Sequence, residues 1–347
     1  MSRISEIDKN FKIETKINKD GMIFANAPTP PFSLHGVYYD DGKYRRMPEA
    51  VAKAVSKNVH CLHANTAGGR LRFKTTSPYI AISARMPLVE KMSHFALCGS
   101  AGFDLYINGT YAQTFRPPFD IVDGYESIAD MLGDELKEVE INFPLYSDVS
   151  ELFIGLKEGC ELLAPTPYTV EKPIVSYGSS VTQGGCASRP GTSYQSFISR
   201  AINADFINLG FSGSALAEKE MYDYIKGLDM SVFLMDYDYN CTEVDQLDRT
   251  HEKMFMAIRE ARPELPIVLM SAPLPVLSDH YKARLEIIKR TYQNALDRGD
   301  RNVYLIEGPK LMAICGTDGT VDGCHPTDFG FYSMAMAVTE VLKKILF

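Results

Sequence analysis

The sequence contains no run of about 20 apolar residues, the length that an α-helix needs to cross a bilayer. Its start, MSRISEIDKNFKIETKINKDG, is polar and lacks the apolar segment of a secretory signal. It has no basic tract either, since 36 basic and 44 acidic residues give a net charge of −8. Because phosphate backbones and anionic lipids repel a negative body, we expect neither nucleic acid nor membrane partners. These absences predict a soluble, cytoplasmic protein.

Closely spaced cysteines are also missing. Seven cysteines are scattered along the chain and never form C-x-x-C, which argues against a disulfide framework or a zinc knuckle. His60 and His63 could share one side of a helical turn, but no acidic or thiolate ligand lies at metal spacing around them. We therefore interpret them as structural histidines and expect neither a metal nor a cofactor.

The first half of the chain has a strand-like pattern. Residues 70–74, RLRFK, alternate polar and apolar side chains, and residues 103–115 carry Asn108-Gly109, a signal for a tight hairpin. Only residues 48–57 and 126–138 look helical. Many short strands with turn signals predict an all-β sandwich or jelly roll over residues 1–165.

The pattern changes after residues 164–173, APTPYTVEKP, whose three prolines indicate a linker or an edge crossing. Strands are predicted at 173–178, 206–210, 231–240, 266–273 and 302–308. Helices are predicted between and after them, near 194–201, 217–227, 246–261, 280–297 and 329–345. Such alternation predicts a mostly parallel α/β sheet covered on both faces in a second domain, residues 166–347. Ligands of such sheets bind beyond the carboxyl ends of the strands.

Polar residues follow these strands. Ser180 comes after the first strand, Gly213 lies in the loop after the second, and Asn240 ends the third. Asp322 and His325 lie in the loop before the last helix. A serine, an imidazole, a carboxylate and additional hydrogen-bond donors are the groups that acyl transfer requires.

The residue types predict a role for each group. His325 is the candidate base that takes the proton of the nucleophile Ser180, and Asp322 would hold the other ring nitrogen. The backbone N–H groups of Ser180 and Gly213, with the Asn240 amide, would stabilise the oxyanion.

The order and spacing of these segments resemble the SGNH hydrolases, also called the GDSL esterase/lipase family. The matching segments are GSSVTQGG, NLGFSGSA, DYDYN and DGCHPTDFG, within residues 174–347. The resemblance implies a flavodoxin-like, three-layer parallel sheet, with Ser180, His325 and Asp322 as the triad and Gly213 and Asn240 as oxyanion donors. The β-rich half looks like the N-terminal domain of a two-domain bacterial subgroup of esterases.

Two positions depart from the family pattern. Ser179 replaces the aspartate of G-D-S, and Asp238 stands where many members have the glycine of G-x-N. By strand alternation Asp236, Asp238 and Asn240 would point the same way, which would bring Asp238 towards the oxyanion region. We interpret Asp238 as a structural anchor in preference to a substrate contact.

The function predicted is a serine esterase that acts on short-chain, acetyl esters, with a small molecule or a carbohydrate as the alcohol. An α/β-hydrolase would require G-x-S-x-G, but residue 182 is threonine, and the phosphate-binding G-x-x-x-x-G-K-[ST] is absent. A carbohydrate-binding protein with a silent hydrolase domain, a lipase or thioesterase of the same fold, and a metal-hydroxide esterase built on His60 and His63 remain as alternatives.

Overall fold

The N-terminal half is built from antiparallel strands. The computed structural model describes residues 15–347, so the first 14 residues of the polar start lie outside the described residues. The strands are β1 (Met22–Asn26), β2 (Ser33–His35), β3 (Tyr38–Asp40), β4 (Lys43–Arg45), β5 (Arg70–Thr75), β6 (Ile80–Arg85), β7 (Phe103–Ile107), β8 (Thr110–Phe115), β9 (Gly124–Ala129), β10 (Lys137–Asn142), β11 (Glu151–Lys157) and β12 (Leu162–Leu163). The predicted β-rich fold of this half is confirmed.

Two sheets enclose the core of this half. One has the order β1-β11-β6-β9, and the other has β12-β5-β10-β7-β8 with β2 also paired to β5. Their inner faces share one buried apolar cluster, which includes Phe73, Ile82, Phe103, Ile141 and Ile154. The arrangement is a sandwich, because each sheet buries one face against the other.

The predicted hairpin at Asn108-Gly109 is confirmed. Ile107 pairs with Thr110, so Asn108 and Gly109 form a two-residue loop with φ of 49° and 76°. Positive φ at both positions is the geometry of a type I′ turn, which asparagine and glycine tolerate best.

The helical interpretation of residues 126–138 is wrong. Residues up to Ala129 belong to β9, which pairs antiparallel with β6, and β10 begins at Lys137. Pairing with a distant strand overrides the weak local preference of this segment. The other predicted helix, 48–57, is instead two short helices, α1 (Glu49–Val55) and α2 (Lys57–Leu62), separated by the extended Ser56.

The C-terminal half is built on a five-stranded parallel sheet. Its strands are β13 (Val170–Gly178), β14 (Ala204–Gly210), β15 (Val232–Asp236), β16 (Ile267–Met270) and β17 (Val303–Ile306), in the order β14-β13-β15-β16-β17. Within residues 15–347 the α-helices continue as α3 (Leu97–Ser100), α4 (Ser180–Gln183), α5 (Tyr194–Ile202), α6 (Lys219–Ile225), α7 (Val244–Ala261), α8 (Asp279–Asp297), α9 (Gly308–Leu311) and α10 (Asp328–Leu346). The predicted three-layer parallel α/β fold is confirmed.

Both faces of this sheet are buried. Ile174 and Val175, adjacent on β13, belong to two different apolar clusters, because successive strand residues point to opposite faces. The next strand along the chain, β14, lies on one side of β13, and the strand after it, β15, lies on the other side. Such a reversal of strand order opens a crevice at the carboxyl end of β13, where Ser180 lies.

Strand β13 begins earlier than the sequence predicted. Val170 already pairs with Ala204, and Pro173 lies inside the strand at a register irregularity between Val170 and Ile174. Pro173 keeps its carbonyl as an acceptor for Ser231 N–H, at 3.0 Å, so the missing proline N–H does not prevent pairing. The predicted linker of residues 164–173 is therefore shorter, because its last four residues are strand.

The two halves are joined by buried arginines. Arg46 donates to the carbonyls of Asn208 and Gly210 at the end of β14, at 3.2 and 2.6 Å. Arg70 donates to the Phe206 carbonyl at 3.0 Å, and its guanidinium lies 3.7 Å from the centre of the Phe206 ring. These contacts hold the β-rich half directly against the strand whose loop carries Gly213. None of the helices in residues 15–347 has the length and apolarity to cross a membrane.

Candidate active site

Ser180 is the first residue of α4, and only Ser179 separates it from β13. The buried Ser179 caps this helix, and its Oγ accepts the Val181 N–H at 3.2 Å. Gly178 ends the strand where a Cβ would meet the Asp236 carbonyl oxygen at 2.1 Å, so only glycine fits. Ser179 therefore supports the turn through its hydroxyl, while the partly buried Ser180 lies at the crevice.

Ser180, His325 and Asp322 lie in one chain of hydrogen bonds. Ser180 Oγ is 3.0 Å from His325 Nε2, and His325 Nδ1 is 2.7 Å from Asp322 Oδ2. The other carboxylate oxygen of Asp322 accepts the backbone N–H groups of Cys324 and His325, at 3.0 and 2.7 Å. The carboxylate is thus fixed by its own loop, and it in turn orients the imidazole towards the serine.

The Asp322 carboxyl is held in its charged form. Burial alone would raise its pKa, but hydrogen bonds from the backbone and ring of His325 and from the Cys324 N–H outweigh burial and lower the pKa to about 2. The side chains remain open to solvent, with 35% of Asp322 and 24% of His325 exposed. The arrangement can therefore present a carboxylate–imidazole pair to a substrate arriving from outside.

The glycine and asparagine segments supply donors near the same crevice. Gly213 has a φ of 65°, and within residues 15–347 its N–H has no acceptor. Asn240 Oδ1 accepts the Ala215 N–H at 3.0 Å, which sets the orientation of its amide. Among the described residues nothing accepts from the Asn240 NH₂ group, so it is available to a ligand.

The expectation that Asp236, Asp238 and Asn240 point the same way is wrong. Strand β15 ends at Asp236, and Asp238–Asn240 form a 3₁₀ turn, in which strand alternation does not apply. Asp236 accepts from Thr182 Oγ1 at 2.9 Å, whereas Asp238 Oδ2 accepts the Ala272 N–H, after β16, at 3.0 Å. Asp238 is thus a buried anchor between two strand ends, as the sequence analysis preferred.

Burial raises the pKa of both aspartates. For Asp236 the nearby Asp238 adds to the effect of burial, whereas Arg284 partly opposes it at Asp238. The pKa of Asp236 lies well above its usual value, which favours the neutral form of this carboxyl beneath the nucleophile turn. A neutral acid avoids placing a full negative charge below the site where an oxyanion would form.

Sequence analysis missed the residues of the β-rich half that support this site. Gln183 Oε1 accepts the Ser212 N–H at 3.0 Å, and its Nε2 donates to Asn65 Oδ1 at 3.1 Å and to the Leu145 carbonyl at 3.2 Å. Tyr146 Oη donates to the Ser180 carbonyl at 3.3 Å. The buried Gln183 thus ties the loop of Gly213 to the first half of the chain. No local pattern signals such contacts, because they join segments far apart in sequence.

The structure does not bring the predicted alternative metal ligands His60 and His63 into a metal cluster. Their rings stack 5.2 Å apart, and His63 Nε2 lies 2.7 Å from the Arg45 guanidinium. Among the described residues the group with metal-ligand spacing is His94, Cys186 and His325. An adjacent guanidinium disfavours a further cation at His63.

Comparison with known proteins agrees with this geometry. The GDSL-like Lipase/Acylhydrolase family matches residues 171–343, and the N-terminus of SGNH-hydrolase-type esterases (GxDLY) matches residues 22–162. A search of the curated proteins finds no match to the chain.

Three solved structures illustrate the similarity. A Bacteroides ovatus ATCC 8483 protein, named for its likeness to GDSL lipases, is 28% identical over 94% of this chain and 98% of its own, with a TM-score of 0.83. The salicylyl-acyltransferase SsfX3 of a tetracycline biosynthetic pathway is 20% identical, covers 95% and 99%, and has a TM-score of 0.78. A family two carbohydrate esterase from Cellvibrio japonicus is 15% identical, covers 93% and 98%, and has a TM-score of 0.63. The last two show the fold alone.

Both halves of the chain therefore match parts of one kind of enzyme, in the same order. With its parallel sheet, its β-rich N-terminal region and its serine at the end of β13, the chain belongs to the GDSL-like lipase/acylhydrolase family and is a carboxylic ester hydrolase.

Proposed function

We propose that the protein is a serine esterase that works through an acyl-enzyme on Ser180. The observation that carries the proposal is the continuous chain of hydrogen bonds from Ser180 Oγ through His325 to Asp322. A serine hydroxyl is a weak nucleophile until a neighbouring base takes its proton, and His325 Nε2 is in position to do so.

The reaction proceeds in two halves. His325 takes the Ser180 proton as Oγ attacks the ester carbonyl, and the imidazolium then gives that proton to the departing alcohol. Water, deprotonated by His325, next attacks the acyl-enzyme, and the imidazolium returns a proton to Ser180 as the acid leaves. Asp322 stays ionised, holds Nδ1–H in place and stabilises the imidazolium in both halves.

The oxyanion is stabilised by three donors. The N–H of Ser180 at the start of α4, the free N–H of Gly213 and the NH₂ group of Asn240 fill this role. The bond from Ala215 N–H to Asn240 Oδ1 supports the proposal, because it leaves the donor end of the amide free for the substrate.

Substitution of Asn240 tests the oxyanion role. Asn240→Ala should lower kcat by about 10²–10³ with little change in KM, because the lost hydrogen bond forms mainly in the transition state. Asn240→Asp keeps an acceptor for the Ala215 N–H but has no donor, so it should lose at least as much activity. Steady-state kinetics and thermal unfolding measure both effects. If either variant retains full activity, Asn240 does not contact the oxyanion.

For the substrate, we propose a short acyl group, acetyl, on a carbohydrate. The open position of Asp322 and His325 suits a bulky alcohol that stays largely outside the protein. The carbohydrate esterase from Cellvibrio japonicus shares the fold, which is consistent with such a substrate.

One exposed aromatic residue contacts the chain segment that carries His94. Phe119 is 90% exposed, and its carbonyl accepts from Lys91 Nζ at 2.9 Å. Lys91 is three residues before His94, whose ring centre lies 5.7 Å from that of His325. We propose that this exposed ring provides a stacking surface for a sugar ring.

Substrate series test this proposal. Acetylated sugars and p-nitrophenyl esters of rising acyl length should show the highest kcat/KM for acetyl, whereas a rate that rises with chain length would indicate a lipase.

Phe119→Ala should raise KM for the acetylated sugar and leave the KM for p-nitrophenyl acetate unchanged. The matched control is Met131→Ala: Met131 is 93% exposed and follows β9, whereas Phe119 precedes that strand. Sugar binding without turnover would instead indicate a silent hydrolase domain.

A further inference from the structure

Three side chains from separate segments meet beside the triad. His94 comes from the loop between β6 and α3, Cys186 from the turn after α4, and His325 from the loop before α10. One ligand atom of each residue lies within 4.8 Å of the other two. His94 and Cys186 have no role in the proposed reaction.

The position of Cys186 is held by the backbone around it. Cys186 is buried and has a φ of 74°, an uncommon conformation for a residue with a side chain. The next carbonyl, of Ala187, packs so closely on Gly99 that a Cβ there would approach it to 2.0 Å. A non-glycine residue that keeps such a conformation next to reacting groups is typical of functional sites.

The loop of His94 is anchored as well. Phe95 is buried and its ring packs edge-on against Tyr146, 5.2 Å between centres, while the Tyr146 hydroxyl bonds to the Ser180 carbonyl. The imidazole of His94 itself is exposed, so it can rotate onto a ligand. Cys186 is thus held by the backbone around it and His325 by its hydrogen bond to Asp322. The His94 ring is free to rotate and complete the set of three ligands.

Two imidazoles and one thiolate are ligands that Zn²⁺ binds in proteins. Zn–N distances of about 2.0–2.1 Å and Zn–S of about 2.3 Å place tetrahedral ligands about 3.3–3.6 Å apart. Side-chain rotations that move the ligand atoms by about 1 Å therefore bring all three within bonding distance of one zinc ion. Binding releases the Cys186 thiol proton to solvent and involves no change of oxidation state.

We infer that His94, Cys186 and His325 form a reversible zinc site whose occupation switches the enzyme off. Both ring nitrogens of His325 are in use, Nε2 towards Ser180 and Nδ1 towards Asp322. A metal bound to either nitrogen therefore breaks the hydrogen-bond chain and removes the base. The inhibitory effect rests on the proposed function, whereas metal binding by these ligands does not.

Binding of cobalt(II), followed by absorption spectroscopy, tests the metal site independently of esterase activity. Chelator-treated wild type titrated with Co²⁺ should develop a thiolate-to-cobalt charge-transfer band and tetrahedral d–d bands. Ser180→Ala should show the same bands, because it keeps all three ligands, and Cys186→Ser should lose the charge-transfer band. Cys324→Ser is the matched control for another thiol near the triad and should keep the band. No band in wild type, or a band that persists in Cys186→Ser, overturns the site.

Inhibition by zinc tests whether occupation of this site switches the enzyme off. Chelator should leave the esterase fully active, and added Zn²⁺ should inhibit it reversibly, each variant being compared with its own zinc-free rate. His94→Ala and Cys186→Ser should need about 100-fold more zinc for half inhibition, since losing a ligand weakens binding at least as much as losing a residue that only orients a ligand. His280→Ala, which removes an exposed histidine, should be inhibited by zinc as strongly as wild type. Equal zinc sensitivity in all variants overturns the switch, and cobalt bands in a protein without esterase activity would refute the proposed function alone.

Discussion

Replacement of Ser180 by alanine is expected to lower kcat by about 10⁶, the loss seen when a serine hydrolase nucleophile is removed. Ser180 Oγ is the hydroxyl at 3.0 Å from His325 Nε2, so no other serine in this turn can take its place. Turnover of p-nitrophenyl acetate measures the loss. A fluorophosphonate probe should label wild type on Ser180 and leave Ser180→Ala unlabelled.

Ser179→Ala is the matched control. Its hydroxyl caps α4 and accepts the Val181 N–H, so its loss should lower the free energy of unfolding by about 1 kcal/mol. The hydroxyl does not contact His325, and the variant should therefore still be labelled by the probe. Labelling at Ser179 or Ser176 in wild type would contradict the assignment of Ser180.

The second large effect is expected for Asp322→Asn, a loss of about 10⁴ in kcat. An amide can donate to His325 Nδ1 and so favour the tautomer with its proton on Nε2, which cannot accept from Ser180. Asp318→Asn, an exposed aspartate in the preceding 3₁₀ turn, is the control and should keep wild-type activity. Activity of Asp322→Asn within tenfold of wild type would show that the carboxylate does not orient the base.

The low pKa of Asp322 predicts two pH effects. Because hydrogen bonds lower the pKa of the Asp322 carboxyl to about 2, its protonation cannot account for a loss of kcat/KM above about pH 4. A folded pKa below the unfolded value of about 3.9 also stabilises the fold above pH 4, and this contribution disappears as the pH falls towards 2. Thermal unfolding of wild type and Asp322→Asn should therefore differ at pH 6 and converge near pH 2.

The order of functional segments was readable from the sequence because each one is local. The three-residue spacing of Asp322 and His325 lets one loop present both side chains, and the backbone N–H groups between them bind the same carboxylate. The parallel sheet was predictable for the same reason, since buried strands and amphipathic helices each show their period within a few residues.

The interpretations that were wrong depended on distant contacts. Residues 126–138 become strand in part because β6 pairs with Gly124–Ala129, and strand pairing does not show in local periodicity. Asp238 is a buried anchor because the chain leaves β15 after Asp236 and the Ala272 N–H, just beyond the end of β16, binds its carboxylate.

By itself, then, the sequence determined which residue types follow each strand and in what order, because those features are set by neighbours along the chain. Only the tertiary structure decided that Gln183 joins the Gly213 loop to Asn65, and that His94 and Cys186 lie beside His325. Asn65 and His94 reach these partners only when the β-rich half packs on the end of the parallel sheet. Burial of shared apolar surface drives that packing, and a residue's distant partner leaves no mark on its own neighbours in the chain.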